Sequence, residues 1–442
     1  MSARDLLLAG FIIGCLPLAV ISPHIGVLLW AWLGYMNPHR LTWGFAWSMP
    51  FAQLVAVATL AGLVISGEKK RVPFNRTTTI WLAFVAWASI TTLQAINKSM
   101  AVDQWQQFIK IQLMTFVAIV VINSRQRLIA LLWVIVLSLA FYGIKGGVFT
   151  IVTGGHYTVW GPPKSLIEGN NELAFALIIM VPLMRFLQLN TANRWLRYGL
   201  SVSMVLCGFS ILGSQSRGAL VAGGAMVAAL WFRSRKKIVI GLAILVVGLA
   251  LFQFAPEAWF ARMSTIQTYE QDGSAMGRIN AWWFAFNLAK SRPLFGGGFD
   301  AFTPDMFQKY APDPLDFHDS HSIYFGVLGE HGFVGLSLFL ALGFSALWLG
   351  NSVRRRVKDH PDLTWASNLA GLIQVSLIGY AVGGVFLGLA YFDLYYSLVA
   401  MLVILQDLVG ESVQAERASA VRQEDGGKST PFPNLALPRQ NC

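Results

Sequence analysis

Three positions from residue 217 onward carry side chains able to act on a phosphate or a hydroxyl. Arg217 follows Gly213-Ser214-Gln215-Ser216 and opens an apolar run over residues 217–232. The first turn of a helix offers unpaired N–H groups and the positive end of the dipole, and both attract anions. An arginine there adds a planar fork matched to phosphate oxygens. The same position also fits an interfacial cation reaching into lipid head groups. Arg278, in Gly277-Arg278-Ile279-Asn280-Ala281-Trp282, precedes an apolar-aromatic stretch. Alone it is an ordinary loop cation; as a second arginine on the same side it could neutralise the other half of a diphosphate.

The third position is His321, in His318-Asp319-Ser320-His321-Ser322-Ile323-Tyr324-Phe325, which leads into an apolar run over 322–350. Asp319 and Ser320 are expected to cap that helix. A helix N-terminus opposes imidazolium, so a histidine there should be neutral, the state a general base needs. The alternative is a cap-region histidine bonded to its neighbours, and position alone does not separate His321 from His318. Asp313, Asp316, His318 and Asp319 have oxygen and nitrogen ligands for a cation, but their spacing matches no ligand motif. Pro312 and Pro314 break any helix there, so the stretch reads as a solvated acidic loop and no metal is assigned. Glu330 and His331 are ionisable groups at membrane depth, costly unless partnered or water-lined; Glu330 lies nine residues past His321, about 13 Å along a helix, and reads as structural rather than catalytic. Glu172 and Asp393 fall near the same ends and are expected to line the same cavity. Signals for GxGxxG, Walker A, HExxH and serine-hydrolase elbows are absent, so no cofactor is assigned.

These residues must be positioned by membrane helices. Apolar types make up 55% of the 442 residues and charged types 12%, against about 25% charged in soluble domains; mean hydropathy is +0.56. A soluble enzyme, a nucleic-acid binder and a disordered scaffold are excluded, and the three cysteines suggest neither a disulfide framework nor a metal site. Apolar runs fall at about 6–36, 51–66, 78–95, 108–122, 128–149, 171–189, 198–213, 217–232, 238–254, 322–350, 366–388 and 394–410. The expectation is an all-α polytopic protein of about twelve transmembrane helices in a lipid bilayer. Basic clusters at Lys69–Arg76, Arg125 and Arg127, Arg194 and Arg197, Arg233–Lys237, and Arg354–Lys358 mark one set of loops as cytoplasmic. With Arg4 also inside, the alternation closes if residues 6–36, broken at Ser22-Pro23, cross once. Both ends are then cytoplasmic. The organisation read from this is an N-terminal transmembrane bundle (1–254), a large periplasmic loop with short interfacial helices (255–321), C-terminal transmembrane helices (322–410) and a disordered cytoplasmic tail (411–442). The 255–321 loop holds five basic and eight acidic residues, with Trp259-Phe260, Trp282-Trp283 and Phe284 suited to the membrane interface.

The stretch from about Ser214 to Gly335 resembles the O-antigen ligase and Wzy-type polymerase superfamily. The matching pieces are Ser216-Arg217-Gly218, Gly277-Arg278, Pro293-Leu294-Phe295-Gly296-Gly297-Gly298-Phe299, and His321-Ser322-Ile323-Tyr324-Phe325 followed by Glu330, Gly332 and Gly335. Met36-Asn37-Pro38-His39-Arg40-Leu41-Thr42-Trp43-Gly44 is similar to exosortase-associated O-glycosylation ligases. The resemblance implies a glycosyltransferase C-like fold. It implies an enzyme moving a glycan from undecaprenyl diphosphate to an acceptor hydroxyl, usually of a lipid A–core sugar, on the periplasmic face of the bacterial inner membrane without a metal. By motif, Arg217 and Arg278 would bind the diphosphate and His321 would activate the acceptor, with His318, Asp319, Ser322 and Tyr324 as supporting residues. The family often has Asn after this histidine, where Ser322 stands here. A polysaccharide polymerase and a protein O-glycosylation ligase share the same donor and are the alternatives. A transporter would instead need charged residues near midplane in both halves. From the unmatched ligand spacing of the acidic loop, glycosyl transfer should survive exhaustive chelation; loss in EDTA with rescue by a divalent cation would overturn the metal-free reading.

Overall fold

The computed structural model describes residues 2–68, 70, 72–233, 237–238, 241–242 and 273–426. The expected span at 238–254, apart from three of those positions, the first part of the large loop with Trp259-Phe260, and the tail from 427 lie outside the described residues. Every regular element described is helical, as expected of an all-α protein. In chain order these are α1 (Ala3–Ile21), α2 (Pro23–Met36), α3 (Phe51–Ile65), α4 (Arg76–Leu93), α5 (Lys98–Val121), α6 (Arg125–Val152), α7 (Asn170–Asn190), α8 (Arg194–Gly213) and α9 (Arg217–Arg233). The later helices are α10 (Gly273–Ser291), α11 (Pro304–Tyr310), α12 (Ile323–Arg356), α13 (Thr364–Gly383) and α14 (Asp393–Gly426). Among the described residues, seven helices are long and apolar enough to cross a membrane: α1, α6, α7, α8, α12, α13 and α14.

Side-chain caps fix several starts. Asn75 and Thr78 form a reciprocal capping box at α4, and Asn97, Ser124 and Asn193 cap α5, α6 and α8. The core runs through α4, α6, α7, α12, α13 and α14. α6 and α8 approach closely through small residues: a Cβ on Gly147 would come within 2.1 Å of the Leu206 carbonyl oxygen.

The N-terminal segment departs from the single crossing expected of it. Pro23 starts α2 at its first turn, where its missing N–H costs nothing, and the chain folds back at Ser22. Phe11 of α1 meets Trp32 of α2 edge-on with centroids 5.5 Å apart, and Arg4 lies over the Trp43 ring at 4.8 Å. The Asp5 Oδ1 accepts the Ala46 N–H at 3.1 Å. At the other end of the hairpin, Glu68 is held by Arg127 through two hydrogen bonds of 2.7 and 3.0 Å. α1 and α2 are therefore antiparallel, packed on α3 through Ile12, Leu33, Phe51 and Val55. Residues 2–5 sit opposite the basic loops, so Arg4 does not join them. α14 ends at the basic side, where Glu416 Oε2 lies 2.5 Å from His360 Nδ1. The expectation of both ends on one side is overturned by burial of the α1–α2 seam.

α12 is broken at Gly332, whose φ of 67° and ψ of −169° are not helical. The glycine-rich turn Pro293–Phe299 closes the gap. Gly297 N–H donates to the Gly329 carbonyl and Gly298 N–H to the Glu330 carbonyl, both at 2.8 Å, while Phe333 N–H donates to the Pro293 carbonyl at 2.9 Å. Backbone groups released by the break are thus repaired from a second segment, as membrane burial demands. The hairpin predicts opposite labelling in a cysteine-free background. An impermeant maleimide outside intact spheroplasts should modify Ser2→Cys and spare Arg356→Cys; equal labelling of the two would overturn the topology.

Candidate active site

α9 and α10 bring the two arginines together. Ser216 Oγ accepts the Ala219 N–H at 3.2 Å and caps α9, after Gln215 in left-handed backbone at φ 56°. The Asn170 side chain at the start of α7 donates to the Ser214 carbonyl at 2.8 Å and pins this turn. On α10, Asn280 clamps the acidic loop: its Nδ2 donates to the Asp313 and Asp316 carbonyls at 2.8 and 2.9 Å, and its Oδ1 accepts the Asp313 N–H at 2.9 Å. Arg217 and Arg278 share the wall of one cavity of about 320 Å³ with Gly218, Val221, Ala275, Ile279, Trp282 and Phe386. A wider cavity of about 440 Å³ between α1 and α2, lined by Arg4, Phe11 and Trp32, contains none of the expected site residues.

His321 stands before α12 in left-handed backbone, φ 40°. Its neighbours hold it to α10 and to the turn after α13. Trp282 Nε1 donates to the Ser320 carbonyl at 2.9 Å, Trp282 stacks on Phe325 at 5.0 Å and 9°, and Ile323 N–H donates to the Gly384 carbonyl at 2.8 Å. Among the described residues no side chain hydrogen-bonds the His321 ring. Burial holds its pKa below the ordinary imidazole value; Arg278 and His318 push the same way, while Asp319 and Glu172 oppose it. The neutral state expected of a base is favoured, with burial as the largest cause.

The N-cap is Ser322, without a side-chain cap bond, rather than Asp319 or Ser320. Those two bond within their own turn: Asp319 Oδ1 accepts the Ser320 N–H at 2.7 Å and Ser320 Oγ donates to the Ser322 carbonyl at 3.2 Å. Left-handed His321 redirects the chain at that point, so the helix starts later than composition suggests. His318 is drawn aside, its Nδ1 3.1 Å from Asp316 Oδ1 and its ring against Gly277. Tyr324 points elsewhere, donating to the Ala381 carbonyl at 2.7 Å and lining a different cavity with Phe339, Tyr380 and Tyr395.

Residues 202–340 match the family model described as O-antigen ligase. This segment is similar to O-antigen ligases. Arg217, Arg278 and His321 all fall within it. Residues 3–192 match a family of unknown function, and this part contains the Met36–Gly44 segment. No curated protein matches the chain at a significant level.

Within the matched segment, Glu330 and His331 lie in a hydrogen-bonded network. Glu330 Oε1 accepts the Asp300 N–H at 3.0 Å and its other oxygen accepts the Tyr391 hydroxyl. His331 Nδ1 and Nε2 meet the Thr91 and Tyr391 hydroxyls at 2.7 and 2.9 Å. Glu172 acts on His321 electrostatically, whereas Asp393 faces Gly34 of α2; neither lines the arginine cavity. Among the described residues no three His, Cys, Asp or Glu side chains cluster to hold a metal.

Sequence reasoning missed the turn after α13. The apolar run to residue 388 reads as one span, yet α13 stops at Gly383. Phe386 then walls the arginine cavity, and a Cβ on Gly388 would lie 3.5 Å from His321 Cα and 3.6 Å from Asp319 Oδ2. Only the closely spaced Gly383, Gly384 and Gly388 could have signalled it. Two cations in one cavity can carry a developing negative charge, and a neutral imidazole beside them can take a proton. Since Asp319 raises the His321 pKa, Asp319→Asn should lower it further and move the acid limb of the transfer rate to lower pH. A shift to higher pH in the measured profile would refute this coupling.

Proposed function

We propose that the chain transfers a glycan from undecaprenyl diphosphate to an acceptor hydroxyl, a lipid A–core sugar in the first reading, at the periplasmic face of the bacterial inner membrane. The observation that carries this reading is the convergence of Arg217 and Arg278 on one cavity beside His321. The acceptor oxygen attacks the anomeric carbon as its proton passes to a ring nitrogen of His321. The bond from that carbon to the diphosphate breaks with its electron pair, releasing undecaprenyl diphosphate and inverting the anomeric centre. Arg217 and Arg278 hold the diphosphate oxygens through the charge increase. A positioned base is worth ~10²–10⁴-fold, and preorganised charge at the leaving group often more. Among the described residues none beside His321 is paired with it as a nucleophile with its base, which supports a single displacement over a covalent intermediate.

The site faces away from the loops holding Arg127 and Arg354–Arg356, which supports a periplasmic orientation. With the α1–α2 hairpin, residues 2–5 share that face. Polymerase and protein-ligase chemistry differ only in the acceptor, and reconstitution with each acceptor class distinguishes them by which one gains mass. A transporter is disfavoured because Glu330 and His331 are committed to the Tyr391–Thr91 network.

Variants separate the roles. Arg217→Ala and Arg217→Lys should weaken donor binding in nanodiscs and reduce transfer by about 10²-fold or more, since an ammonium lacks the bidentate fork. His321→Ala should bind donor nearly normally and lose ~10²–10⁴-fold in transfer, while His318→Ala keeps substantial activity. Wild-type transfer by a correctly inserted His321→Ala protein would end the assignment of the base.

A further inference from the structure

The cavity of about 440 Å³ in the α1–α2 hairpin shares no lining residue with the arginine cavity. Arg4, Leu7, Leu8 and Phe11 line it from α1, facing Trp32 of α2 and Leu41 beyond it. The four α1 positions follow i, i+3, i+4, i+7 spacing and form one stripe, about 10 Å long, with the arginine at its outer end. α1 is long and apolar enough to cross a membrane. Arg4, in its first turn, therefore lies at head-group depth, and Phe11 lies among the acyl chains. The stripe opens outward, with Leu7 74% and Phe11 54% exposed.

Two of the polar side chains in this lining are already committed. The Thr42 hydroxyl donates to the His39 carbonyl at 2.7 Å, and Trp32 Nε1 lies 2.9 Å from Met36 Sδ. Arg4 differs. Its guanidinium lies over the Trp43 ring at 4.8 Å, and among the described residues no carboxylate is paired with it. Stacking on one face fixes the guanidinium plane and leaves its N–H edge to meet phosphate oxygens. Asp5 is turned to a different face of α1, where it is buried and its Oδ1 accepts the Ala46 N–H at 3.1 Å. Sugar hydroxyls would lose water along the apolar walls without gaining partners. An amphiphile with one anionic group above a hydrocarbon chain loses nothing of this kind.

We propose that this groove binds an anionic phospholipid, with the phosphate on Arg4 and an acyl chain along Leu7, Leu8 and Phe11. The groove's head lies on the face opposite the basic loops, which makes the lipid one of the outer leaflet. A lipid with a single net negative charge neutralises the arginine, whereas the amine of a zwitterionic lipid competes for the same phosphate. The occupant also braces the hairpin. Its chain lies against Phe11 and Trp32, which meet edge-on at 5.5 Å, and its phosphate holds Arg4 on Trp43. The site stands independently of the glycosyl-transfer chemistry proposed above.

Native mass spectrometry of the full chain tests the site, with delipidated protein titrated with phosphatidylglycerol or phosphatidylcholine of equal acyl chains. The wild type should take up its first phosphatidylglycerol about five-fold more tightly than phosphatidylcholine, the gain expected of one interfacial arginine. Arg4→Gln should remove that preference while phosphatidylcholine still binds as before. Arg194→Gln should keep it: Arg194 also stacks on a tryptophan, 5.5 Å from the Trp195 ring, but lines no part of this groove. Phe11→Ala, at a position facing lipid, should weaken both lipids several-fold and leave the preference between them. Equal wild-type affinities, or a preference that survives Arg4→Gln, would overturn the proposal. Wild-type binding of both lipids by Phe11→Ala would remove the acyl chain from the groove. Competition by glycerol phosphate as strong as by phosphatidylglycerol would reduce the site to one for a free anion. Tighter uptake of monophosphoryl lipid A than of phosphatidylglycerol would also overturn the assignment and give the groove to a phosphorylated glycolipid.

Discussion

The repair of α12 at Gly332 fixes the relative placement of the site's helices. A residue with a Cβ at that φ and ψ would incur strain of order 1–3 kcal/mol, and its Cβ would come within 2.5 Å of the Leu294 carbonyl oxygen. The turn Pro293–Phe299 follows directly on α10, so its three backbone hydrogen bonds to the break set where α10 lies against α12. α4 is drawn into the same joint. Ile96 N–H donates to the Gly297 carbonyl at 2.9 Å, Arg292 Nη2 donates to the Gln94 carbonyl at 2.6 Å, and Trp87 stacks on Phe295 at 5.6 Å. A glycine-rich turn with free amides can form a phosphate cradle. Here the Gly297 and Gly298 amides are occupied by the Gly329 and Glu330 carbonyls and are not turned toward a ligand.

With α10 fixed, Trp282 connects the two halves of the site. Arg278 and Trp282 are one helical turn apart and therefore project from the same face. The indole walls the arginine cavity, bonds the carbonyl of Ser320, stacks on Phe325 and approaches Phe386 with centroids 6.2 Å apart. One rigid side chain thus spaces the cations from the imidazole. This matters because a base and leaving-group cations must keep their separation through a displacement at a single carbon. Flexible connections between them would forfeit much of that preorganisation.

The parts legible in sequence are those for which a membrane makes misplacement costly. Charged residues at the ends of apolar runs are expensive unless useful, so Arg217, Arg278 and His321 stood out, and the all-helical architecture followed from run length. The hairpin was illegible because Ser22-Pro23 is equally compatible with a kink and a reversal. The choice is made by burial of Ile12 and Leu33 against α3 and by Arg4 lying over Trp43, neither of which periodicity reveals. The N-cap was misplaced because a left-handed histidine cannot be read from composition. Phe386 was invisible for another reason: an apolar residue in a short turn at the end of an apolar run looks like the run itself.

The segment similar to O-antigen ligases does not build this site alone. It ends at residue 340, before Phe386 and the Gly384 carbonyl that anchors Ile323. Asn170, which pins the turn before Arg217, and Thr91, which meets His331, come from the segment matched to a family of unknown function. Glu172, one turn into α7, opposes the burial that depresses the His321 pKa. The first half therefore supplies part of the backbone support and part of the electrostatic environment of residues it does not contain. Substitution in either flank can alter chemistry centred in the matched segment. Transplanting residues 202–340 into another helical frame would carry the arginines and the histidine, but it would leave behind the wall at Phe386, the anchor at Gly384 and the Asn170 support that shape the arginine cavity and hold the chain next to His321.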